Sequence, residues 1–599
     1  MFIRRIRQTR RGQTYTYYSL VENVRSTGRI QQRTICYLGR LDQLRPPDWL
    51  RVTERLPDPA WLPLLQKEVG YAAPQEPTGS VRSVTIDPRS IAWANPRRLG
   101  EVHVGLCAWQ LLGLDRLFEG LVGHFRTDVP LDRVAAMIAV NRLVEPRSER
   151  GIHRWLPGTA LPELFETPRD RLSLNLLYRC LSEVGPHQHT IESHLVEQGR
   201  NLFQFSNDLV LYDLTSTYFE GRMEGNPKAQ RGYSRDHRPD CKQLCIALAV
   251  NADGFPLAFE SLAGNRRDAQ TLTPLIEKLE QRTGGIRRIV CFDRGMATAA
   301  NLHHWRKTKR PYLCAVRRDV VRAHLPEIRQ GPWQALPLRE PKSAIDVQEL
   351  PARTVDEVLE RSILCRSAGC QLKERQIFET RLGKVRQKLT RLQAHVLAGT
   401  FTRNDIILRK AKQAVGRTHD LRGIFTFQVT RRPEGKQLLV QESVSAIQDE
   451  KDLQGVYLLR TTVPDLAADD LWQTYMLLTR VEAAFRNLKT DLNLRPIFHQ
   501  KESRADAHVL FAMLAYALSV TIQLRHRGKG GHLTTTALLE KLQPIQLAEL
   551  SFRTLDGERL RFERASIPNA EQAALLQTLG WPIPPKYLPP TLGTEPARL

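Results

Sequence analysis

Two aspartates occupy matching places in the chain. In "LVLYDLTST", Asp213 closes the apolar run 209–212 and is followed by the hydroxyl residues Thr215, Ser216 and Thr217. In "IVCFDRGM", Asp293 follows the run 289–292 and precedes Gly295. A carboxylate is costly to desolvate without a partner. Each acid alone reads equally well as a cap or turn residue; at the tips of two strands that share a crevice, the pair reads as ligands for a hard cation. A third carboxylate, Glu482, lies in "YMLLTRVEAAFRNLKTDL". Tyr475, Glu482 and Lys489 are spaced by seven, nearly two helical turns, so one helix face carries all three, with Phe485 and Arg486 close to that line. Met476, Leu477, Val481, Ala484 and Leu488 supply the apolar side that covers a sheet. Taken alone, Glu482 is also an ordinary solvated helix residue.

Converging carboxylates suit two Mg2+ ions about 4 Å apart, one activating an attacking water or sugar hydroxyl and the other stabilising the leaving oxygen. Mn2+ is a possible substitute. No side-chain nucleophile and no organic cofactor are then needed. Paired carboxylates also hydrolyse glycosides. Against that, the face of Glu482 carries Lys489 and Arg486 in place of aromatic sugar platforms, and the chain is strongly basic. Its 88 Lys and Arg against 64 Asp and Glu leave +24 over 599 residues. Such a surplus favours a polyanion, nucleic acid ahead of a membrane, since no stretch reads as an unbroken apolar span.

Nine scattered cysteines suit a reducing compartment and give no disulfide framework. Cys241 and Cys245 are close in sequence, but no second pair stands at zinc spacing. The opening "MFIRRIRQTRRG" is basic and no apolar signal core follows it, so a cytoplasmic protein is expected.

Positioning the three acids requires several domains. Residues 1–60 read as a basic β-hairpin module, from "YTYYSLVENV" and "RIQQRTICYLG" around the turn "RSTG", with possible DNA contact. Proline-rich linkers are expected near 46–63 and 73–89. Residues 95–200 read as a helical domain for DNA binding or dimerisation, with "CAWQLLGLDRLFEGLVG", "LDRVAAMIAVNRLV" and "RLSLNLLYRCLSEV" as helices. From 204 to 320, three strands on short connections and then alternating helix and strand predict an α/β sheet. Residues 321–450 interrupt it. There Phe378, Leu382, Val385, Leu389, Leu392 and Val396 make a helical stripe, and "GIFTFQVTRRPEGKQLLVQES" reads as strand, turn and strand. The core resumes over 451–525, and 526–599 reads as a helical and proline-rich region.

With these segments in order, the chain resembles the DDE transposases of bacterial insertion sequences, in the IS4-like group and closest to its IS1634-type branch. "DLTSTYFEG" with "GYSRDHRPDCKQLCIALAVNADGFPLAF" resembles the first-aspartate region, "IVCFDRGM" the second, and "YMLLTRVEAAFRNLKTDLNLRPIFHQ" the signature helix. The resemblance covers roughly residues 205–520. It implies an RNase H-like catalytic core interrupted by an insertion domain containing β-strands. It also implies Asp213, Asp293 and Glu482 as the catalytic, metal-holding triad.

The reaction implied is cleavage of phosphodiester bonds at the element's ends, followed by joining of the 3′ hydroxyl to target DNA. A related nuclease without strand transfer and a non-catalytic DNA-binding derivative are the alternatives. The implied partners are double-stranded DNA, at terminal inverted repeats and at the target, and a second copy of the chain; the implied place is the bacterial nucleoid. Of the signature positions, Tyr475, Glu482 and Lys489 match, but Leu478 stands where an arginine is expected, and Arg480 lies almost opposite on the helix. Tyr475, Arg486 and Lys489, with Asn265 of "GNRRDAQTL", are the expected DNA contacts, and Arg235, Asp236, His237 and Arg238 of "GYSRDHRPD" read equally as a loop on the DNA or as a solvated turn. Asp268 is readable either as a crevice residue or as a helix cap. Trp472 is readable as a stacking platform or as core, and His499 and His508 as packing or surface residues.

Overall fold

The computed structural model describes residues 2–10, 13–26, 29–39, 85–205, 208–282, 287–336, 345–416, 419–421, 423–433 and 435–588. The linker expected at 46–63, and all but the end of that at 73–89, lie outside them.

The basic opening is a three-stranded antiparallel sheet of β1 (Phe2–Arg10), β2 (Gln13–Ser26) and β3 (Arg29–Gly39). The expected hairpin is β2–β3. The arginine-rich stretch before it adds the third strand, pairing Phe2 with Val21 and Ile3 with Leu20, which satisfies the free backbone edge of β2.

After β4 (Ala92–Arg98) come helices Gly100–Leu111, Leu114–Val122, Leu131–Val144, Leu174–Val184 and Gln188–Phe203. The first two correspond to one segment in the sequence reading. They separate at Gly113, whose φ of 68° lies in the left-handed region open to glycine. Helix Glu502–Arg527 packs against Leu131–Val144 and Leu174–Val184. Contrary to the sequence expectation, it is long and apolar enough to cross a membrane, but its residues are buried on nearly all sides within the protein. An all-round apolar helix belongs in a core as readily as in a bilayer.

The central sheet starts with β5 (Leu209–Tyr218), β6 (Gln243–Val250) and β7 (Pro256–Ala263), joined antiparallel. Next, β8 (Ile289–Phe292) and β9 (Tyr312–Ala315) add parallel to β5 on its other side. The sheet does not end there. β10 (Gln334–Ala335), β11 (Ile345–Val355), β12 (Val358–Ser367) and the later β15 (Val456–Thr461) extend it antiparallel, in the order β10-β11-β12-β15-β9-β8-β5-β6-β7. Every residue of β6 is buried, because helices cover both faces. Val210, Tyr212 and Phe292 pack with helices Leu272–Arg282 and Ala299–Lys307 on one face. Leu211 packs with Leu478–Thr490 and Glu502–Arg527 on the other.

Between β12 and β15, helix Ala368–Leu397, helix Asn404–Val415 and the hairpin β13 (Phe425–Arg432)–β14 (Gly435–Glu442) enclose an apolar core of their own. The predicted stripe Phe378 to Val396 is its centre. The C-terminal part has helices, Thr535–Leu542 and Ala570–Leu579, and adds strands that the sequence reading did not expect. Its β16 (Gln546–Arg553) pairs with β17 (Arg559–Ala565) and with β4, more than 400 residues earlier.

Candidate active site

β5 and β8 run parallel, with Tyr212 paired to Phe292. The next residue on each is an aspartate, so Asp213 and Asp293 stand side by side on strands about 4.8 Å apart. Side chains alternate along a strand. Tyr212 therefore points to the face of helix Leu272–Arg282, where its hydroxyl donates to Thr271 Oγ1 at 2.7 Å. Asp213 shares the opposite face with Leu211, toward helix Leu478–Thr490, which packs on β5. Glu482 completes the group: Tyr212, Asp213, Asp293, Tyr475, Met476, Leu478, Thr479 and Glu482 line one cavity of about 180 Å3.

The electrostatics of this cavity suit a cation. Burial pushes the Asp213 carboxyl up to about 7; the Leu214 N–H, donating to Oδ1 at 2.7 Å, and the Arg235 guanidinium oppose the rise, while the Asp293 and Asp268 carboxylates add to it. Burial and nearby Asp293 likewise push the Tyr475 hydroxyl up. Carboxylate oxygens of Asp213 and its acidic neighbours form a donor set for a hard divalent ion, which relieves the repulsion that Asp213 meets. Asp293 and Glu482 are exposed, so the cavity is open to substrate.

The helix carrying Glu482 differs from the expectation. Tyr475 belongs to helix Ala468–Met476, and a bend at Leu477 separates it from Leu478–Thr490. Tight turns mark the break, with Leu477 N donating to Thr474 O at 3.2 Å and Arg480 N to Leu477 O at 2.7 Å. Tyr475 still reaches the cavity. Val481, Ala484 and Leu488 are buried as expected, while Met476 is partly exposed at the cavity. Phe485, placed near the open face by the helical wheel, is only 6% exposed. Leu478 lines the cavity itself. Arg486 lies elsewhere, with Arg480 and Arg527 on a cleft between this helix and Glu502–Arg527.

Lys489 is also not free at the acids. It donates to Asp236 Oδ1 at 2.8 Å, and Arg495 shares that oxygen. The Asp236 side chain is 4% exposed. Its neighbours in the loop diverge. Arg235 pairs with Asp268 Oδ2 at 2.7 Å, and its backbone N–H donates to Ser216 Oγ at 3.2 Å. His237 is exposed with φ 57°. Arg238 pairs with Asp240 and Glu220 and lies over the Tyr218 ring at 4.8 Å. Asn265 is exposed in the turn after β7.

Asp268 thus serves Arg235 with its side chain, and its Oδ2 lies 3.7 Å from where a Cβ on Gly295 would stand, beside the Asp293 turn. Asp236 is neither solvated nor free for DNA but a buried anion between Lys489 and Arg495, a role its sequence setting, an acid in a basic loop, does not signal. Trp472 packs against the core and donates to the Tyr457 hydroxyl at 2.6 Å. Cys245 is buried in β6, and the Cys241 thiol accepts from Arg238.

A second cluster lies away from the cavity. Ligand atoms of Glu149, His499 and His508 come within 4.8 Å of one another, all buried. Arg142 Nη2 meets His508 Nδ1 at 3.2 Å, and His508 Nε2 meets the Leu494 carbonyl at 3.2 Å. With both ring nitrogens engaged and a guanidinium beside it, the cluster is a buried polar network and a poor cation site. Both histidines are packing residues, as one of the two sequence readings had it.

The family model described as the transposase DDE domain matches residues 208–518, just over half of the chain. The chain belongs to the DDE transposases. A second model, the N-terminal domain of IS1634 family transposases, matches residues 3–56 and assigns the type. No curated protein matches the chain. In this transposase the N-terminal match falls on β1–β3 and continues past them, while the DDE match opens at β5 and closes within helix Glu502–Arg527.

Proposed function

We propose that this transposase cleaves phosphodiester bonds at the ends of its insertion sequence and joins the exposed 3′ hydroxyl to target DNA, with Asp213, Asp293 and Glu482 as its catalytic carboxylates. The observation that carries the reading is their convergence on one open cavity from three separate segments. The strand order β7-β6-β5-β8-β9, with β6 alone antiparallel among these five, supports an RNase H-like core whose remaining strands and 368–442 unit are an insertion.

Asp213, Asp293 and Glu482 would hold Mg2+, with Mn2+ as a substitute. When bound, such ions activate the attacking oxygen and stabilise the leaving one. The chain's own residues orient that chemistry. β5 and β8 fix the two aspartates in register, and the pairing of Lys489 with Asp236 fixes the far end of the helix bearing Glu482. Arg235 and Asp268, paired with each other, both act on the charge of Asp213. Cleavage and joining are both in-line displacements, so one carboxylate centre serves both in turn. Duplex DNA at the inverted repeats and at the target is the substrate, a homodimer holding two ends is the assembly, and the bacterial nucleoid is the place.

The test is Mg2+-dependent cleavage and joining of a duplex carrying the element's own end, with the intact chain beside Asp213→Ala, Asp293→Ala and Glu482→Ala. Each substitution is expected to lower both steps by at least about 10²-fold while end binding persists. Cleavage without joining in the intact chain would make it a nuclease. Chemistry surviving all three substitutions would overturn the site.

A further inference from the structure

The charge of the chain is unevenly placed. Residues 368–442 hold sixteen Lys and Arg against six Asp and Glu, a net +10 of the chain's +24 in an eighth of its length. Much of this charge lies on helix Ala368–Leu397. At 100° per residue, Lys373, Lys384, Lys388 and Arg391 fall within about 60° of one another, over about 27 Å of helix. All four are exposed, and none forms an ion pair among the described residues. Two other arginines of this helix behave differently, Arg381 pairing with Asp420 and Arg386 with Glu442, while Arg375 is exposed well away from the stripe. No acidic residue lies on the stripe. Glu374 and Glu379 fall off it and pair with Arg318 and Lys451.

The sheet sets where this helix starts. Tyr212, Phe292, Cys314, Arg460 and Ser362 form one cross-strand row over β5, β8, β9, β15 and β12. β12 runs in the same direction as β8, because two antiparallel steps separate it from β9. Its end at Ser367 therefore lies beyond the row on the side to which β8 delivers Asp293, about 14 Å along the sheet from β8. The helix leaves from that edge with a fixed root. Ser367 caps it by accepting from Cys370 N at 3.3 Å, and Glu374 Oε2 accepts from Gly455 N at 3.0 Å.

We infer that this helix is a second DNA-binding surface, holding the phosphate backbone of a duplex that extends past the carboxylate cavity, without reading its bases. The inference rests on the proposed DNA substrate but not on catalysis by the three acids. Unpaired cations on one face of a helix, whose two acids lie off that face and are paired elsewhere, spread over about 27 Å and match a polymer with one charge per ~1.7 Å of axis. Lysine and arginine side chains spaced along a backbone position a duplex by its phosphates and carry no base readout of themselves.

The experiment is equilibrium binding of a long duplex carrying the element's end, without divalent metal, over a salt series. It compares the intact chain with a variant in which Lys373, Lys384, Lys388 and Arg391 are all changed to Gln. The charge-matched control changes exposed Lys307, Arg353, Lys529 and Arg559 to Gln. The stripe variant is expected to lower the slope of log K against log salt by about 3 to 4, at ~0.9 per phosphate contact, and to bind about 10²-fold more weakly at moderate salt. The control should change the slope by less than about 1. Equal losses in both variants would overturn the assignment, since bulk charge would then explain binding. An unchanged slope in the stripe variant, or no duplex binding by the intact chain, would overturn it as well. Failure of the carboxylate reading would leave this result in place, because no bond is cleaved in the measurement.

Discussion

Lys489 and Asp236 meet at 2.8 Å although 253 residues separate them, and the contact ties the helix bearing Glu482 to the loop that follows the strand of Asp213. Arg495 shares the same carboxylate oxygen, and the other, Oδ2, is buried without a hydrogen-bond partner. Desolvation lowers the lysine's proton affinity, and Asp236 works against that fall. One buried anion thus holds two cations, and removing it leaves them uncompensated. Asp236→Asn should cost about 3 kcal/mol in denaturant unfolding. It should also slow cleavage more than it weakens end binding, because Glu482 loses its fixed position. Stability and cleavage both unchanged would contradict this role.

Asp213 carries a stability penalty that a metal should relieve. Its carboxyl lies up near 7 in the fold against an ordinary 3.8. For an acid with a raised folded value, the folded state binds the extra proton between those values, so stability falls as pH rises through the window. Asp213→Asn should therefore stabilise the metal-free protein by about 2 to 4 kcal/mol at pH 8 and by little at pH 4. Mg2+ should raise the melting temperature of the intact chain more than that of the variant. Equal metal response in both would argue against Asp213 as a ligand.

The Glu149 network predicts acid sensitivity of the opposite sign. Burial works to raise the Glu149 carboxyl, but the hydrogen bond and charge of His499 and the charge of His508 hold it at about 2 against an ordinary 4.5. Burial, then the Arg142 and His499 charges, press His508 well below its ordinary 6.5. Both groups bind fewer protons folded than unfolded. Stability is then full above about pH 6.5, declines as pH falls below it, and declines further below 4.5. Melting curves from pH 8 to 4 should show that descent, and His508→Gln should flatten its upper part. A flat profile in the intact chain would count against the network.

What could be read from the sequence follows the range of each interaction. Asp213 and Asp293 stood out because an apolar run that ends on an acid is a local pattern, and β5 and β8 are where those runs lie. Val481, Ala484 and Leu488 were placed correctly by helical period alone. Phe485 was not, since the helix is covered by the sheet on one flank and by Glu502–Arg527 on another, a wider buried arc than one stripe. The bend at Leu477 left no trace because Tyr475–Leu478 contains neither proline nor glycine. Pairings over long separations were invisible: nothing local ties Ala92–Arg98 to Gln546–Arg553, or Lys489 to an acid in the 232–240 loop.

The central claim, that the aspartates act by holding a divalent ion, is tested most directly by exchanging an oxygen ligand for sulfur. The measurement is cleavage of the element-end duplex by Asp293→Cys in Mg2+ and in Mn2+, beside Asp293→Ala. A thiolate binds Mg2+ poorly and Mn2+ better. The account predicts that Asp293→Cys is inactive in Mg2+ and regains cleavage in Mn2+, while Asp293→Ala stays inactive in both. Equal activity of Asp293→Cys in the two metals, or recovery by Asp293→Ala in Mn2+, would contradict it.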